Sequence, residues 1–248
     1  VLLAAKPGWR RDLLGIIDWL ERECAHLGVD IRLNSYADEA MVRAESPDVV
    51  FIATGGVPHT DWVEGDAVLL SSWDVLSGMA SLDGDVLVHD QTGRNTALAA
   101  ADHLSEHGAA VTLNTQDAAI GMEAMRLEIS PFMKRFYERG VAMQTDHEII
   151  SARAADNKIE VTFRNMHTAG LSTRAFDHVV IEAGTLPNDE LFYGLSDAAA
   201  NRGVIDLEAM RDGRPQPVFD QAGYRLYRIG DVAGSRDIHC AILDALRL

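Results

Sequence analysis

The sequence predicts an α/β protein whose strands lie in parallel sheets. Three apolar strands end on glycine, in the stretches "VVFIATGG", "VVIEAG" and "YRIGDVAG". Between the first two, Asp85–Thr115 has the pattern strand, loop, helix, strand, a unit of about 30 residues that joins two parallel strands. Glycines at strand ends are expected where open α/β sheets approach a ligand, at the carboxyl edge of the strands.

Length and composition limit the alternatives. The chain has 248 residues, 47% of them hydrophobic and 24% charged, which is enough for one large or two modest domains. The net charge of −16 argues against a nucleic-acid partner. No apolar run approaches 18 residues, so we expect no membrane partner. The two cysteines, Cys24 and Cys240, are far apart and fit a reducing compartment, which predicts a cytoplasmic location.

The first section of the chain predicts a helix followed by two strands and a short helix. Apolar residues recur at helical spacing over Asp12–Leu27, and Gly28 is placed to end that helix. "VDIRLNS" is typical of a short strand, and "PDVVFIATGG" of a buried strand that ends at Gly55 and Gly56. "SSWDVLSG" predicts one or two helical turns capped by Ser72.

The middle section contains the strand–helix–strand unit. "DVLVHD" is the first strand, "QTGRN" a loop, "TALAAADHLSEHG" the helix and "AAVTLNT" the second strand. The alanines Ala97, Ala100 and Ala101 would let the helix lie close to the sheet, as in any closely packed α/β unit.

The next section predicts a helix and then a run of strands. "MEAMRLEISPFMKRFYERG" is helical, with Pro131 expected to break or restart it. "VAMQT", "HEIISARAA" and "KIEVTFR" are strands, the last two joined by a turn at Asp156-Asn157. "FDHVVIEAG", Phe176–Gly184, is another buried strand that ends on glycine.

The order of these strand ends, interrupted by the strand–helix–strand unit, resembles the pyridine nucleotide–disulfide reductase class. That resemblance implies two Rossmann-like nucleotide-binding domains, with an NAD-type domain (residues 78–186) inserted in an FAD-type domain (residues 1–77 plus 187–248). It also implies that Ala53, Thr54 and Gly55 border a bound FAD or ADP. Gly230 and Asp231 would then lie at the cofactor, with the Asp231 carboxylate on ribityl or ribose hydroxyls.

The opening stretch "VLLAAKPGWRRDLLGIIDWLERECAHLGVDIRLNS" resembles a narrower group. This is the C-terminal nucleotide-binding region of the trimethylamine dehydrogenase, dimethylglycine demethylase and 2,4-dienoyl-CoA reductase group of old-yellow-enzyme-like NADH:flavin oxidoreductases. The resemblance implies oxidative demethylation of an N-methylated amine or amino acid, or NADPH-dependent reduction of an enoyl thioester. It further implies an N-terminal barrel with FMN and a 4Fe-4S cluster, and an electron-transfer flavoprotein as a possible partner.

Two features depart from the pattern of the group. The chain opens at Val1 within an apolar run, which predicts a fragment: the FAD-type domain is incomplete, because its glycine-rich entry motif would lie upstream. The fragment alone is therefore expected to be inactive, and it offers no catalytic residue. In the inserted domain, "HDQTGRNTALA" keeps one glycine, Gly93, where an NAD site needs three, and Asn114 and Thr115 replace the usual acidic residue. NAD(P) binding is therefore doubtful, which favours the demethylase branch.

Two alternatives remain at this point. The chain could instead be a non-catalytic scaffold with a bound nucleotide that docks an electron-transfer partner. Asp231 could instead cap the final helix, since aspartate is favoured at that position. The histidines are scattered without a zinc-helix spacing, so surface or core roles are predicted for them and no metal site is predicted.

Overall fold

A computed structural model describes residues 1–219 and 223–248 of the chain. The chain divides into two compact units. The larger unit comprises Val1–Leu27 and Pro58–Gly184, and the smaller unit comprises Gly28–Val57 and Thr185–Leu248. Within the described residues, no helix has both the length and the apolar character needed to cross a bilayer.

The helices and strands are numbered in chain order. The α-helices are α1 (Leu14–His26), α2 (Glu39–Ala44), α3 (Ser72–Ser77), α4 (Asn95–Glu106), α5 (Arg126–Arg139), α6 (Glu190–Ser196), α7 (Leu207–Arg211) and α8 (Ile238–Arg247). The strands are β1 (Val49–Ile52), β2 (Gly56–Pro58), β3 (Leu70–Ser71), β4 (Asp85–Asp90), β5 (Ala110–Thr115), β6 (Ala142–Gln144), β7 (His147–Ala155), β8 (Lys158–Asn165), β9 (Leu171–Phe176), β10 (His178–Glu182), β11 (Thr185–Pro187) and β12 (Arg225–Arg228). Short 3₁₀ turns cover Gly8–Leu13 and Gly230–Val232.

The larger unit is built on a parallel sheet of five strands in the order β3-β10-β4-β5-β6. Helix α4 connects β4 to β5, as the strand–helix–strand pattern predicted. The alanine-rich face of α4 is buried, with Ala97, Ala100 and Ala101 each 0% exposed, in one core with Phe132 and Phe136 of α5. The small side chains thus allow the helix to pack closely on the sheet.

A three-stranded antiparallel sheet, β7-β8-β9, accompanies the parallel sheet in the larger unit. Its buried residues Ile149 and Phe163 share a core with Leu87 and Ile181 of the parallel sheet. Strands β7 and β8 meet at the predicted turn, where Asp156 has a φ of 52°. Strand β9 was not predicted from the sequence.

The smaller unit contains the parallel pair β1-β12, with Val49 opposite Arg225 and Ile52 opposite Arg228. The two glycine-terminated strands assigned from the sequence to the FAD-type domain therefore lie in one sheet. Their inward residues pack with Phe192 and Leu195 of α6. A second pair is formed by β2 and β11.

The compact units and the predicted domains differ in their boundaries. Residues 1–27 and 58–77, predicted to belong to the FAD-type domain, lie in the larger unit. The indole of Trp9 packs against Phe132, with ring centroids 5.0 Å apart, and donates a hydrogen bond to Asp102 over 3.0 Å. Strand β3 pairs with β10 in the five-stranded sheet. The proposed inserted domain therefore packs with these two flanking segments.

Three local predictions are wrong. "VDIRLNS" forms no strand: Val29, Ile31 and Leu33 are 52%, 55% and 79% exposed, and a strand without a pairing partner has nothing to satisfy its backbone groups. The cap of α3 is Ser71, which exchanges hydrogen bonds with Asp74 in a capping box, whereas Ser72 bonds to Glu182.

The third concerns Pro131, which lies inside α5 without ending it. The proline removes one backbone N–H, but the residues that follow continue the helix to Arg139. Phe132 and Phe136, both 0% exposed, hold this part of α5 in the core of the larger unit.

Candidate nucleotide-binding site

The predicted cofactor residues of the smaller unit follow two neighbouring parallel strands. Ala53, Thr54 and Gly55 follow β1, and Gly230 and Asp231 come soon after β12. The backbone N–H of Ile229 donates to the carbonyl of Ile52 over 3.0 Å, which extends the pairing just beyond the strands. All five residues therefore lie at the same carboxyl edge, the edge at which open α/β sheets bind ligands.

The turn after β1 is fixed by hydrogen bonds to the segment around Asn188. The hydroxyl of Thr54 donates to the carbonyl of Asn188 over 2.5 Å, and the N–H of Asn188 donates to the carbonyl of Gly55 over 3.0 Å. Ala53 and Thr54 are exposed, and Gly55 has a φ of 70°. The backbone here is held in place by the chain itself while remaining accessible to a ligand.

The turn after β12 is organised by Asp244 of α8. Its carboxylate accepts from the N–H of Gly230 over 3.1 Å and pairs with the guanidinium of Arg236. Gly230 has a φ of 66°, a conformation that favours glycine. The carboxylate of Asp231 is half-buried and accepts one long hydrogen bond, of 3.4 Å, from the N–H of Arg236.

The alternative role of Asp231 as a helix cap is wrong. Helix α8 is capped by Asp237, whose carboxylate accepts from the N–H of Cys240 over 2.8 Å. Asp231 instead lies in the 3₁₀ turn that precedes α8. Its place in the turn is compatible with a sugar hydroxyl as hydrogen-bond donor.

The corresponding edge of the larger unit differs, because a carboxylate of the chain binds the loop. Asp90 ends β4 and is 1% exposed. Its Oδ1 accepts three hydrogen bonds from the following loop: 2.8 Å from the N–H of Thr92, 2.9 Å from the Thr92 hydroxyl and 3.0 Å from the N–H of Gly93. In a working dinucleotide site, N–H groups of this loop face the pyrophosphate.

A second carboxylate is buried at the same edge. Glu182 ends β10, accepts a hydrogen bond from the Ser72 hydroxyl and accepts another from the N–H of Gly184 over 3.1 Å. Burial raises the pKa of Glu182 to about 7 and that of Asp90 to about 6, against the effect of these hydrogen bonds. The charge of Asp90 also raises the pKa of Glu182. Two acidic groups therefore line the edge where a pyrophosphate would have to enter.

Near the end of β5, the side chain of Asn114 also forms hydrogen bonds within the chain. Asn114 is 0% exposed; its Oδ1 lies 2.6 Å from Nδ1 of His89, and its amide donates to the carbonyls of Gln144 and His147. Burial lowers the pKa of His89 to about 4, so the imidazole is neutral at neutral pH. Asn114 therefore links β5 to three other strands, and its side chain is not directed at a ribose.

The sequence prediction missed Asp90 and Glu182, although each polar residue ends an otherwise apolar strand. It also overlooked the pair His103 and His107. These residues are four apart in sequence and lie together with Glu106, all three offering ligand atoms within 4.8 Å of one another. The four-residue spacing was a usable signal, and the statement that no histidine spacing resembles a zinc helix is wrong.

Comparison with known proteins supports the resemblance. No protein-family profile matches the chain. A probable N-methylproline demethylase of Rhizobium meliloti (strain 1021) is 37% identical over 251 residues, covering 100% of this chain and 37% of the relative. An N,N-dimethylglycine/sarcosine dehydrogenase of Chromohalobacter salexigens is 33% identical over 262 residues, covering 100% of this chain and 38% of the relative.

Solved structures show the same fold. A 2-naphthoyl-CoA reductase complex has a TM-score of 0.75 at 23% identity, over 99% of this chain and 33% of the reductase. A thioredoxin reductase of T. acidophilum has a TM-score of 0.53 at 17% identity, over 80% of this chain and 61% of the reductase. The predicted α/β fold of two Rossmann-like domains is thereby confirmed. The chain is similar over its whole length to one region of these demethylase and dehydrogenase relatives, and it spans a little over a third of the length of the curated relatives it matches.

Proposed function

We propose that the chain is the FAD- or ADP-binding portion of a flavin-dependent enzyme that oxidatively demethylates an N-methylated amine or amino acid. One observation carries this proposal: the parallel pairing of β1 with β12 brings Ala53–Gly55 and Gly230–Asp231 to one carboxyl edge. The names of the two curated relatives, which act on N-methylproline and on dimethylglycine or sarcosine, supply the class of substrate.

The residues at this edge fit a nucleotide sugar. Asp231 has an acceptor oxygen with only a long internal hydrogen bond, and Gly230 places no side chain between the backbone and a ligand. A bound flavin would supply the hydride chemistry of the whole enzyme, whereas the residues of this chain bind and orient the nucleotide. We propose that FMN, the 4Fe-4S cluster and the barrel belong to a region outside this chain. An electron-transfer flavoprotein as partner and a cytoplasmic location stay predictions.

The test compares Asp231→Ala with Asp237→Ala in the whole protein. Loss of a charge-assisted hydrogen bond typically costs about 1.5–3 kcal/mol, so Asp231→Ala should weaken nucleotide retention roughly 10- to 100-fold. Asp237→Ala removes the cap of α8, which costs about 1 kcal/mol of stability and should leave the nucleotide content unchanged. Nucleotide content and melting temperature are measured on both variants. An Asp231→Ala protein that keeps its full complement of nucleotide would refute the proposed site.

We further propose that the larger unit binds neither NADH nor NADPH with useful affinity. The carboxylate of Asp90 already accepts the hydrogen bonds of Thr92 and Gly93, and its charge and that of Glu182 would repel a pyrophosphate. Calorimetric titration of the chain with each cofactor should therefore give no binding heat at micromolar concentrations. Low-micromolar binding of either cofactor would contradict this proposal and would favour the alternative, an NAD(P)H-dependent reductase.

A further inference from the structure

Three side chains with metal-binding atoms lie together at the C-terminal end of α4. His103 and Glu106 belong to the last turn of the helix, and His107 follows it directly. Their ligand atoms all lie within 4.8 Å of one another, because residues three and four apart share one face of a helix. Glu106 and His107 are exposed and His103 is half-buried.

The two imidazoles are arranged for metal binding. Nδ1 of His107 lies 2.7 Å from the carbonyl of His103, and a carbonyl can only accept, so Nδ1 carries the proton and Nε2 keeps its lone pair. A backbone carbonyl behind the imidazole is the support commonly found for metal-bound histidines. The two rings are 4.3 Å apart between centroids.

Glu106 adds a negative charge, and its carboxylate can turn towards a cation at little cost in free energy. Its carboxylate lies 3.4 Å from a guanidinium nitrogen of Arg139. Arg139 also bonds to the buried Asp102 over 2.7 Å, so it keeps a partner when Glu106 turns towards a cation. The guanidinium of Arg139 and the ammonium of Lys6 are nearby positive charges that oppose a cation.

We propose that His103, Glu106 and His107 bind one first-row divalent cation of the Zn²⁺ class. Two imidazole nitrogens and one carboxylate oxygen are the donors that Zn²⁺ accepts, and the remaining position would hold water. Ligand atoms around tetrahedral Zn²⁺ are roughly 3.4 Å apart, so separations of up to 4.8 Å must shorten by at most about 1.4 Å. Rotation of the exposed Glu106 and His107 side chains provides this movement. The site is independent of the nucleotide site proposed above.

Calorimetric titration of the full chain with ZnSO₄ at pH 7.5 tests the proposal. Cys24→Ser and Cys240→Ser are included in every variant, because thiolates bind Zn²⁺ themselves. We expect one Zn²⁺ per chain with a dissociation constant in the micromolar range. His103→Gln and His107→Gln should each weaken binding at least about 10-fold. His26→Gln, which removes an exposed histidine from α1, serves as the matched control and should leave the affinity unchanged.

Two results would overturn the proposal: no Zn²⁺ binding tighter than about 100 µM, or unchanged affinity in the double variant His103→Gln/His107→Gln. Unchanged affinity in Glu106→Gln would remove the carboxylate from the site. A second measurement on the chain with both histidines intact avoids reliance on variant folding. Zn²⁺ should shift the imidazole proton resonances of His103 and His107, and a titration in which only other histidines respond would contradict the assignment.

Discussion

Asp90→Asn should stabilise the chain above neutral pH, although the substitution weakens three hydrogen bonds. Asparagine keeps the carbonyl oxygen that accepts from Thr92 and Gly93, but it cannot ionise. The pKa of Asp90 is raised from its ordinary value of 3.8 to about 6, mainly by burial, so the cost of burying the charge exceeds the gain from its hydrogen bonds. The buried Oδ2 of Asp90 has no hydrogen-bond partner among the described residues, which agrees with that balance.

The size of the effect follows from the pKa. A folded pKa near 6 against 3.8 corresponds to about 3 kcal/mol of stability that is present at low pH and is lost as the pH rises through 6. The new amide N–H₂ would lack an acceptor, which would lower the stability of the variant by about 1–2 kcal/mol. We therefore expect Asp90→Asn to gain roughly 1–2 kcal/mol at pH 8 and to lose roughly 1 kcal/mol at pH 4, where the Asp90 carboxyl is protonated in the folded protein and only the cost of the unpaired amide remains.

Urea unfolding at both pH values, followed by tryptophan fluorescence, is the assay. All four tryptophans lie in the larger unit, so the signal reports the unit that contains Asp90. Raising the pKa of Glu182 to about 7 makes its contribution to wild-type stability fall between pH 4.5 and pH 7, whereas lowering the pKa of His89 to about 4 makes its contribution rise between pH 4 and pH 6.5. The loss from Glu182 should be smaller in Asp90→Asn, which removes the neighbouring charge, and the double variant with Glu182→Gln should keep only the rise from His89.

Asp102→Asn is the matched control, since Asp102 is equally buried but is paired. Its carboxylate accepts from Arg139 over 2.7 Å and from the indole of Trp9 over 3.0 Å. Removing the charge leaves the partly buried guanidinium of Arg139 with only the exposed Glu106 as an ionic partner among the described residues, so about 3 kcal/mol should be lost at pH 8. If Asp90→Asn were less stable than the wild type at pH 8 by more than about 1 kcal/mol, the reasoning on Asp90 would be refuted.

Three further substitutions test local features by thermal unfolding. Gly65→Ala should cost more than about 3 kcal/mol, since the φ of Gly65 is 131° and a Cβ would lie 1.8 Å from the carbonyl oxygen of Ala152. A cost below about 1 kcal/mol would contradict the described turn. Ser71→Ala should cost about 1 kcal/mol by removing the cap of α3, and an unchanged melting temperature would argue against the capping box. Tyr224→Phe should cost about 1 kcal/mol, because its hydroxyl donates to the carbonyl of Leu195 over 2.7 Å in a buried position. An unchanged melting temperature would mean that water replaces the hydroxyl as the donor to this carbonyl.

The sequence was most informative where local signals agree with one another. Strand β4 begins at Asp85 and ends at Asp90 as predicted, because an apolar run is bounded by Gly84 and by the loop "QTGRN". "VDIRLNS" alternates between apolar and polar residues, a pattern typical of a strand, but it forms no strand. Pairing with a neighbouring strand stabilises a strand, and the local sequence pattern does not indicate whether such a neighbour is present.

Side-chain partners distant in sequence could not be predicted. Ser72 and Glu182 are separated by 110 positions, so no spacing rule connects them. The bond from the Asp90 carboxylate to its own loop was closer to prediction, since "DQTG" places Thr92 two residues and Gly93 three residues after an aspartate. That is the spacing at which an aspartate accepts from the backbone of its own turn. The count of glycines predicted a defective NAD site, but it did not identify the Asp90 carboxylate, to which we attribute the proposed defect.

The two units are proposed to differ in nucleotide binding because of their aspartates, Asp90 and Asp231. Their glycines, Gly93 and Gly230, do not explain the difference. Gly93 and Gly230 have nearly the same backbone conformation, with φ values of 63° and 66°. In the larger unit, however, the Asp90 carboxylate is 1% exposed and accepts three hydrogen bonds from its own loop. In the smaller unit, the half-buried Asp231 accepts one bond of 3.4 Å. A carboxylate that is buried and bound by its own loop is not accessible to sugar hydroxyls, and its charge repels phosphate. This difference is the physical reason for proposing a nucleotide in the smaller unit and none in the larger one.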